Sequence, residues 1–268
     1  MVKGIFFSPA GSTRRVTAFV TKLLAERLGM PYSLLSYTLP QERDSWQPLS
    51  ADDIVVWGTP VYAGRIPNKT LAFVQEHIAA AGAKGICIAM YGGRHYDNTL
   101  AEMSAIMSQG GITPIAAAAV VARHVFNPKR IAPGRPSPTD FDALASWCRQ
   151  IDVNTTKTIQ VPGTANAAYY SPLRADGKPA RFLKALPTID TALCNGCGNC
   201  ATHCPMETIT LDNGYPKTEG VCIKCQACVL ECPRGAIRFT DTEFLSHVAM
   251  LEEKVGKGER KSEFFIMG

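Results

Sequence analysis

No stretch of the 268-residue sequence approaches the ~18 consecutive apolar residues that a membrane span needs. The N-terminus, Met-Val-Lys-Gly-Ile-Phe-Phe-Ser-Pro, runs into turn residues too soon for a secretory signal. A cytoplasmic protein is therefore expected. The net charge is +5, but the basic residues are scattered and lack interleaved aromatics. That argues against a nucleic-acid surface. No Ser-His-Asp set and no paired-carboxylate arrangement can be picked out. With 46% hydrophobic and 19% charged residues, the composition excludes a disordered, collagen-like or coiled-coil chain. Cysteine is sparse over most of the chain. Only Cys87 and Cys148 lie outside the window 194–232, which holds the other eight of the ten. A disulfide framework would spread through the fold, and a reducing cytosol disfavours it. Thiols crowded in one window point to metal.

That window contains a repeat. Its first line is Cys194-Asn-Gly-Cys197-Gly-Asn-Cys200-Ala-Thr-His-Cys204-Pro205, and its second is Cys222-Ile-Lys-Cys225-Gln-Ala-Cys228-Val-Leu-Glu-Cys232-Pro233. Both read C-x2-C-x2-C-x3-C-P, offset by 28 residues (194 to 222, 204 to 232), and Ile209 and Ile237 extend the match. Three thiolates two residues apart wrap one corner of a cubane, while the fourth, fixed by proline, points to the neighbouring cluster. On that crossed pattern Cys194, Cys197, Cys200 and Cys232 hold one [4Fe–4S] cluster, and Cys222, Cys225, Cys228 and Cys204 hold the other. The alternatives are a disulfide framework or zinc; zinc sites use paired C-x2-C knuckles without the third cysteine and the C-P end. Residues 190–240 resemble the dicluster ferredoxins of bacterial type.

The first 155 residues alternate strand and helix signals. Short apolar runs at 2–7, 32–37, 54–57, 85–91 and 114–121 read as buried strands. Helical periodicity falls at 12–28, 68–81, 96–108 and 140–152. Five strands interleaved with helices predict a doubly wound parallel α/β sheet, with ligands at the carboxyl ends of its strands. Three loops fall at those ends. Ser8-Pro9-Ala10-Gly11-Ser12-Thr13 can turn N–H groups and a helix N-terminus toward a phosphate. It is neither a Walker loop nor a G-x-G-x-x-G turn, which leaves a monophosphate. The loops 59–65 and 91–98 each combine an aromatic with glycine, suited to flanking a flat ring.

With these loops in order, the segment resembles a flavodoxin. Joined to the cysteine repeat, the chain resembles the flavodoxin–ferredoxin fusion proteins of anaerobic bacteria and archaea, over nearly all of residues 1–240. The resemblance implies a five-stranded flavodoxin-like sheet, a small α+β dicluster domain, one FMN and two [4Fe–4S] clusters. Ser8, Ala10, Gly11, Ser12 and Thr13 take the phosphate-loop positions. Thr59, Pro60, Val61, Tyr62, Ala63 and Gly64, together with Tyr91, Gly92, Gly93, Arg94, Tyr96 and Asn98, take the isoalloxazine-loop positions. Pro9, which has no N–H, and Ala10, where a hydroxyl is common, depart from the family loop.

Arg65 and Arg94 put positive charge in the ring loops, with only Asp97 nearby, and are expected to favour the reduced, anionic flavin. Their alternative is a solvent-facing or carboxylate-paired role. His95 could hydrogen-bond the flavin. Cys87 and Cys148 read as packing residues. The long stretch 123–138 could cover the flavin, dock the cluster domain or be plain surface. The expected organisation is an FMN domain at 1–155, a linker packing on both domains at 156–189, the cluster domain at 190–240, and a clamping helix (241–255) and tail to 268. A low-potential electron carrier serving redox partner proteins is expected, without nucleic acid and with a homodimer as one option. An FMN-dependent oxidoreductase fed by the clusters is the alternative.

Overall fold

The computed structural model describes residues 1–256, 258 and 260–267. In chain order the first unit contains β1 (Val2–Phe6), α1 (Ser12–Leu28), β2 (Tyr32–Ser36), α2 (Pro40–Asp44), β3 (Ile54–Pro60), a 3-10 turn (Asn68–Thr70), α3 (Leu71–His77), β4 (Lys84–Tyr91), α4 (Thr99–Gln109), β5 (Thr113–Val121) and α5 (Pro138–Gln150). β1 to β5 are all parallel, in the order β2-β1-β3-β4-β5. This is the flavodoxin-like doubly wound order, whose switch point lies between β1 and β3.

Both sheet faces are covered, so the central strands are apolar throughout rather than alternating. On one face Val16, Val20 and Leu24 of α1 meet Leu144 and Trp147 of α5 across Val56, Ile86 and Ile88. On the other, Val74 of α3 and Leu100 and Met103 of α4 pack on Val55, Trp57 and Cys87. α1 lies so close to β3 that a Cβ at Gly58 would overlap Thr17 Oγ1. That approach sets where the N-terminus of α1 stands.

Two helices are shorter than their periodicity suggests. α3 stops at His77 because Ala80 and Gly82 donate to the carbonyls of Gly110 and Gly111 instead. α4 begins only at Thr99, since Asp97 has φ 41 and breaks the helical path.

The second unit contains β6 (Thr188–Ile189), α6 (Asn199–Thr202), β7 (Ile209–Asp212), β8 (Tyr215–Thr218), α7 (Ala227–Leu230) and β9 (Ile237–Arg238). β6 pairs with β9 and β7 with β8, both antiparallel. The repeat is visible in three dimensions: α6 carries Cys200 and α7 carries Cys228, and both pack with Ile209 and Ile237.

The chain then returns. α8 (Thr242–Lys254) inserts Phe244 and Val248 among Phe182 and Phe239, while Met250, Leu251 and Val255 pack on Ile131. β10 (Glu263–Ile266) adds a sixth strand, antiparallel, to the edge at β5. All five expected parallel strands are present, and β10 extends their sheet to six. Phe265 faces one core, Phe264 and Ile266 the other, an alternation too short to read as a strand in isolation. It covers an otherwise open edge. Of the tail's polar turn, residues 257 and 259 lie outside the described residues, as does residue 268.

Candidate functional site

A cavity of about 550 Å³ opens at the carboxyl ends of the parallel strands, within the usual range for a cofactor pocket of ~300–1,000 Å³. Ser8, Pro9, Ala10, Ser12 and Thr13 line one end. Ser8 Oγ accepts the Arg14 N–H at 2.9 Å, and the Ser8 N–H donates to Thr38 Oγ1 at 2.9 Å, so the loop is fixed from both sides. Gly11, at φ 84, leads into α1 without lining the cavity. The first-turn N–H groups of a helix have no intrahelical acceptor. At Ser12 and Thr13 they stand beside two hydroxyls, a donor set that suits a phosphate dianion.

Pro60, Val61, Tyr62, Ala63 and Gly64 form a second wall. Tyr62 and Arg65 exchange backbone bonds across Ala63 and Gly64, and Ala63 O accepts the Tyr170 N–H at 2.8 Å. Thr59 is fully buried inside β3 and does not reach the cavity. In the third loop Tyr91, Gly92, Arg94 and His95 line it. Gly93, Tyr96 and Asn98 do not: Gly93 O accepts Arg260 Nε at 3.0 Å, Tyr96 OH donates to Glu263 at 2.7 Å, and Asn98 Oδ1 accepts the Thr164 N–H at 2.9 Å.

The arginine expectation needs correction. Arg94 is ion-paired with Asp97 and lies over the Tyr170 ring at 4.1 Å. Arg65 is ion-paired with buried Glu102, lies over Tyr169 at 4.6 Å, and does not line the cavity. Each guanidinium already has its carboxylate, so neither supplies free positive charge to a ring. His95 reaches the cavity while its Nδ1 accepts the Asp97 N–H at 2.8 Å.

Several segments complete the cavity that the loop reading did not include. Tyr169, Tyr170 and Pro172 come from the linker, which also donates and accepts bonds across the first unit. His124 and Phe126 come from the long stretch after β5. Burial pushes His124 down to about 4, and also holds His247 below the usual histidine range. Both imidazoles are therefore neutral near pH 7. The remaining wall is Val221, Cys222, Ile223 and Lys224, the start of the second cysteine line. Ile223 packs against the same core cluster as Val61, and Arg43 donates to Pro205 O at 3.0 Å. Only composition hinted that the linker would pack; nothing local marked Cys222–Lys224 as a cavity wall.

The cysteines fall into two neighbourhoods. Cys204, Cys222, Cys225 and Cys228 together line a second, smaller cavity with Pro205, Ile209 and Phe239. Cys194 and Cys197 act electrostatically on Cys200, and Cys200, Cys204, Cys228 and Cys232 share one apolar cluster where the two neighbourhoods meet. Backbone amides point at sulfur: Lys224 N–H donates to Cys222 at 3.3 Å and Ala236 N–H to Cys232 at 3.2 Å. Burial pushes the Cys228 thiol up to about 12 and Cys225 higher still. Such thiols ionise only when a positive centre compensates, as iron does. Cys222 and Ile223 line both cavities and are the contact between them; Tyr62 lines only the larger one, and burial raises its phenol well above the usual range. Cys87 and Cys148 are buried, with thiols pushed up to about 12 by burial, as inert packing residues should be.

Residues 193–237 match the family described as 4Fe-4S dicluster domain. Formate hydrogenlyase subunit 2 of Escherichia coli K12 is 39% identical over 51 residues, 18% of this chain and 25% of that protein. The Shigella flexneri protein of that name gives the same figures. The chain thus spans about a quarter of the length of these curated relatives. Among solved structures, the flavodoxin of Streptococcus pneumonia TIGR4 is 16% identical, covering 55% of this chain and 94% of its own, with a TM-score of 0.39. An azoreductase from Bacillus anthracis is 11% identical, covering 56% of this chain and 100% of its own, with a TM-score of 0.37. No helix of the described residues is long and apolar enough to cross a membrane. The strand order and the dicluster match together make this chain a flavodoxin-like α/β unit joined to a ferredoxin-type 4Fe–4S dicluster unit.

Proposed function

We propose that the protein is an electron-transfer protein that holds one FMN and two [4Fe–4S] clusters, and relays electrons between them and redox partner proteins as a low-potential carrier in anaerobic metabolism. The observation carrying this reading is one cavity with two walls: the strand-end loops of the α/β unit on one side, Cys222–Lys224 on the other. When bound, FMN supplies one- or two-electron exchange and each cluster one-electron exchange, so the pair connects two kinds of redox chemistry.

The chain's own residues have distinct tasks. Ser12 and Thr13, at the N-terminus of α1, bind the phosphate through N–H and hydroxyl groups. Tyr62, Tyr91 and the Gly92 backbone hold the ring and exclude water. Cys204, Cys222, Cys225 and Cys228 ligate the cluster beside the flavin, a set supported by their shared cavity. Cys194, Cys197, Cys200 and Cys232 ligate the other, whose Cys197 is exposed and gives electrons an exit to a partner.

Anaerobic reconstitution followed by elemental analysis tests this. About eight iron, eight sulfide and one FMN per chain are expected for two cubanes and one flavin. Stoichiometric zinc with little iron would overturn it. A second reading, an FMN-dependent oxidoreductase, draws on the extension of the cavity to His124, His247 and Leu251. Steady turnover of an organic substrate that requires the clusters would favour it.

A further inference from the structure

The two cysteine lines share a backbone but not its residues. Offset by 28, Gly196 corresponds to Lys224 and Gly198 to Gln226. All four lie in the left-handed region: φ is 71 and 78 in the first line, 56 and 64 in the second. Glycine adopts that conformation freely, whereas residues with a Cβ do so at a cost. The first line therefore fills the positions as its backbone prefers, and the second does not. A non-glycine residue held there by its surroundings points to a task.

Lys224 is also buried, only 6% exposed. Its Nζ donates to the carbonyls of Leu183 and, at 2.8 Å, Cys222. Among the described residues no carboxylate lies within ion-pair distance of it. Burying an ammonium without a counter-ion is unfavourable. Asp241 acts on it only from beyond ion-pair distance, which leaves room for two further sources of negative charge. Lys224 lines the strand-end cavity, and its own N–H donates to Cys222 Sγ, so it stands between the flavin cavity and the second cysteine set. No cation occupies the matching place in the first line.

We propose that Lys224 is a positioning residue for electrons: a fixed cation shared by the flavin and the adjacent cluster that favours the reduced, more negative form of each. This rests on the electron-transfer reading above. It makes the two clusters inequivalent, with the one beside the flavin easier to reduce than the one at exposed Cys197.

The test is an anaerobic redox titration of the full holo-protein, followed by EPR and visible absorption, for wild type, K224M, K224Q and K224R. The uncharged variants are expected to disfavour reduction of one cluster by at least tenfold, about 59 mV for one electron. The flavin potential should fall with it, the second cluster should stay unchanged, and K224R should lie near wild type. Because K224Q keeps a hydrogen-bond donor, it separates charge from packing. An uncharged variant that loses its cluster but keeps FMN still reports the flavin potential. Potentials within twofold of wild type, or equal shifts of both clusters, would overturn the role of Lys224. Wild-type protein that binds neither iron nor FMN would instead overturn the reading beneath it.

Discussion

The two units of this chain are held together by different physics. The α/β unit buries large apolar side chains on both faces of its sheet, among them Trp57, Ile88 and Leu100. The dicluster unit has helices of four residues and strands of two to four, and its central cluster is Cys200, Ile209, Cys228 and Ile237. Two of those four are cysteines. Too little apolar area is buried there to offset the ordering of the chain. Burial folds the first unit; on the proposed reading, metal binding would fold the second.

Stripping iron is the severest way to break that contrast. Chelation of both clusters under air should abolish amide protection across residues 190–240 while the sheet keeps its protection. Unit-resolved hydrogen–deuterium exchange reads both at once. Retained protection in the iron-free second unit would remove the distinction. The reciprocal change is Gly58→Ala, which forces a Cβ into Thr17. It should destabilise the α/β unit by about 3 kcal/mol, at the upper end for overpacking, and loosen FMN binding by displacing α1. Denaturant titration followed by sheet circular dichroism checks it.

How much was legible beforehand follows the same division. The parallel strands were readable because burial on both faces writes continuous apolar runs such as Ile86-Cys87-Ile88-Ala89 into the sequence. The cysteine lines were readable because ligation fixes spacing. β10 was not, since Phe264-Phe265-Ile266 acquires meaning only against β5, far away in sequence. The arginine pairs were hidden for a similar reason: Glu102 lies on α4, and its partnership with Arg65 exists only once the helix packs. The Cys222–Lys224 wall of the cavity arises from docking between units, which no local pattern encodes.

Phe265→Ala measures how far the returning tail supports the first unit. Its side chain is half-buried, so a loss of about 2 kcal/mol is expected, below the value for a fully buried phenylalanine. No change in the unfolding midpoint would make β10 an ornament. The smallest effect concerns acid. His124 has its folded value lowered to about 4 by burial, from 6.5. The unfolded chain therefore takes up the proton first, and stability falls as pH drops from about 6.5 toward 4. With partial solvent access discounted, about 1 kcal/mol should be lost between pH 7 and pH 5. His124→Gln should flatten that slope.

The relay requires that the flavin lie beside one particular cysteine set. Anaerobically reconstituted Cys222→Ser and Cys197→Ser proteins, compared by iron content and flavin absorption, test this directly. Each should lose about half its iron, one cubane of two. Only Cys222→Ser should also shift the flavin spectrum, because Cys222 lines that cavity and Cys197 does not. Equal disturbance of the flavin by both variants, or none by either, would contradict the shared cavity.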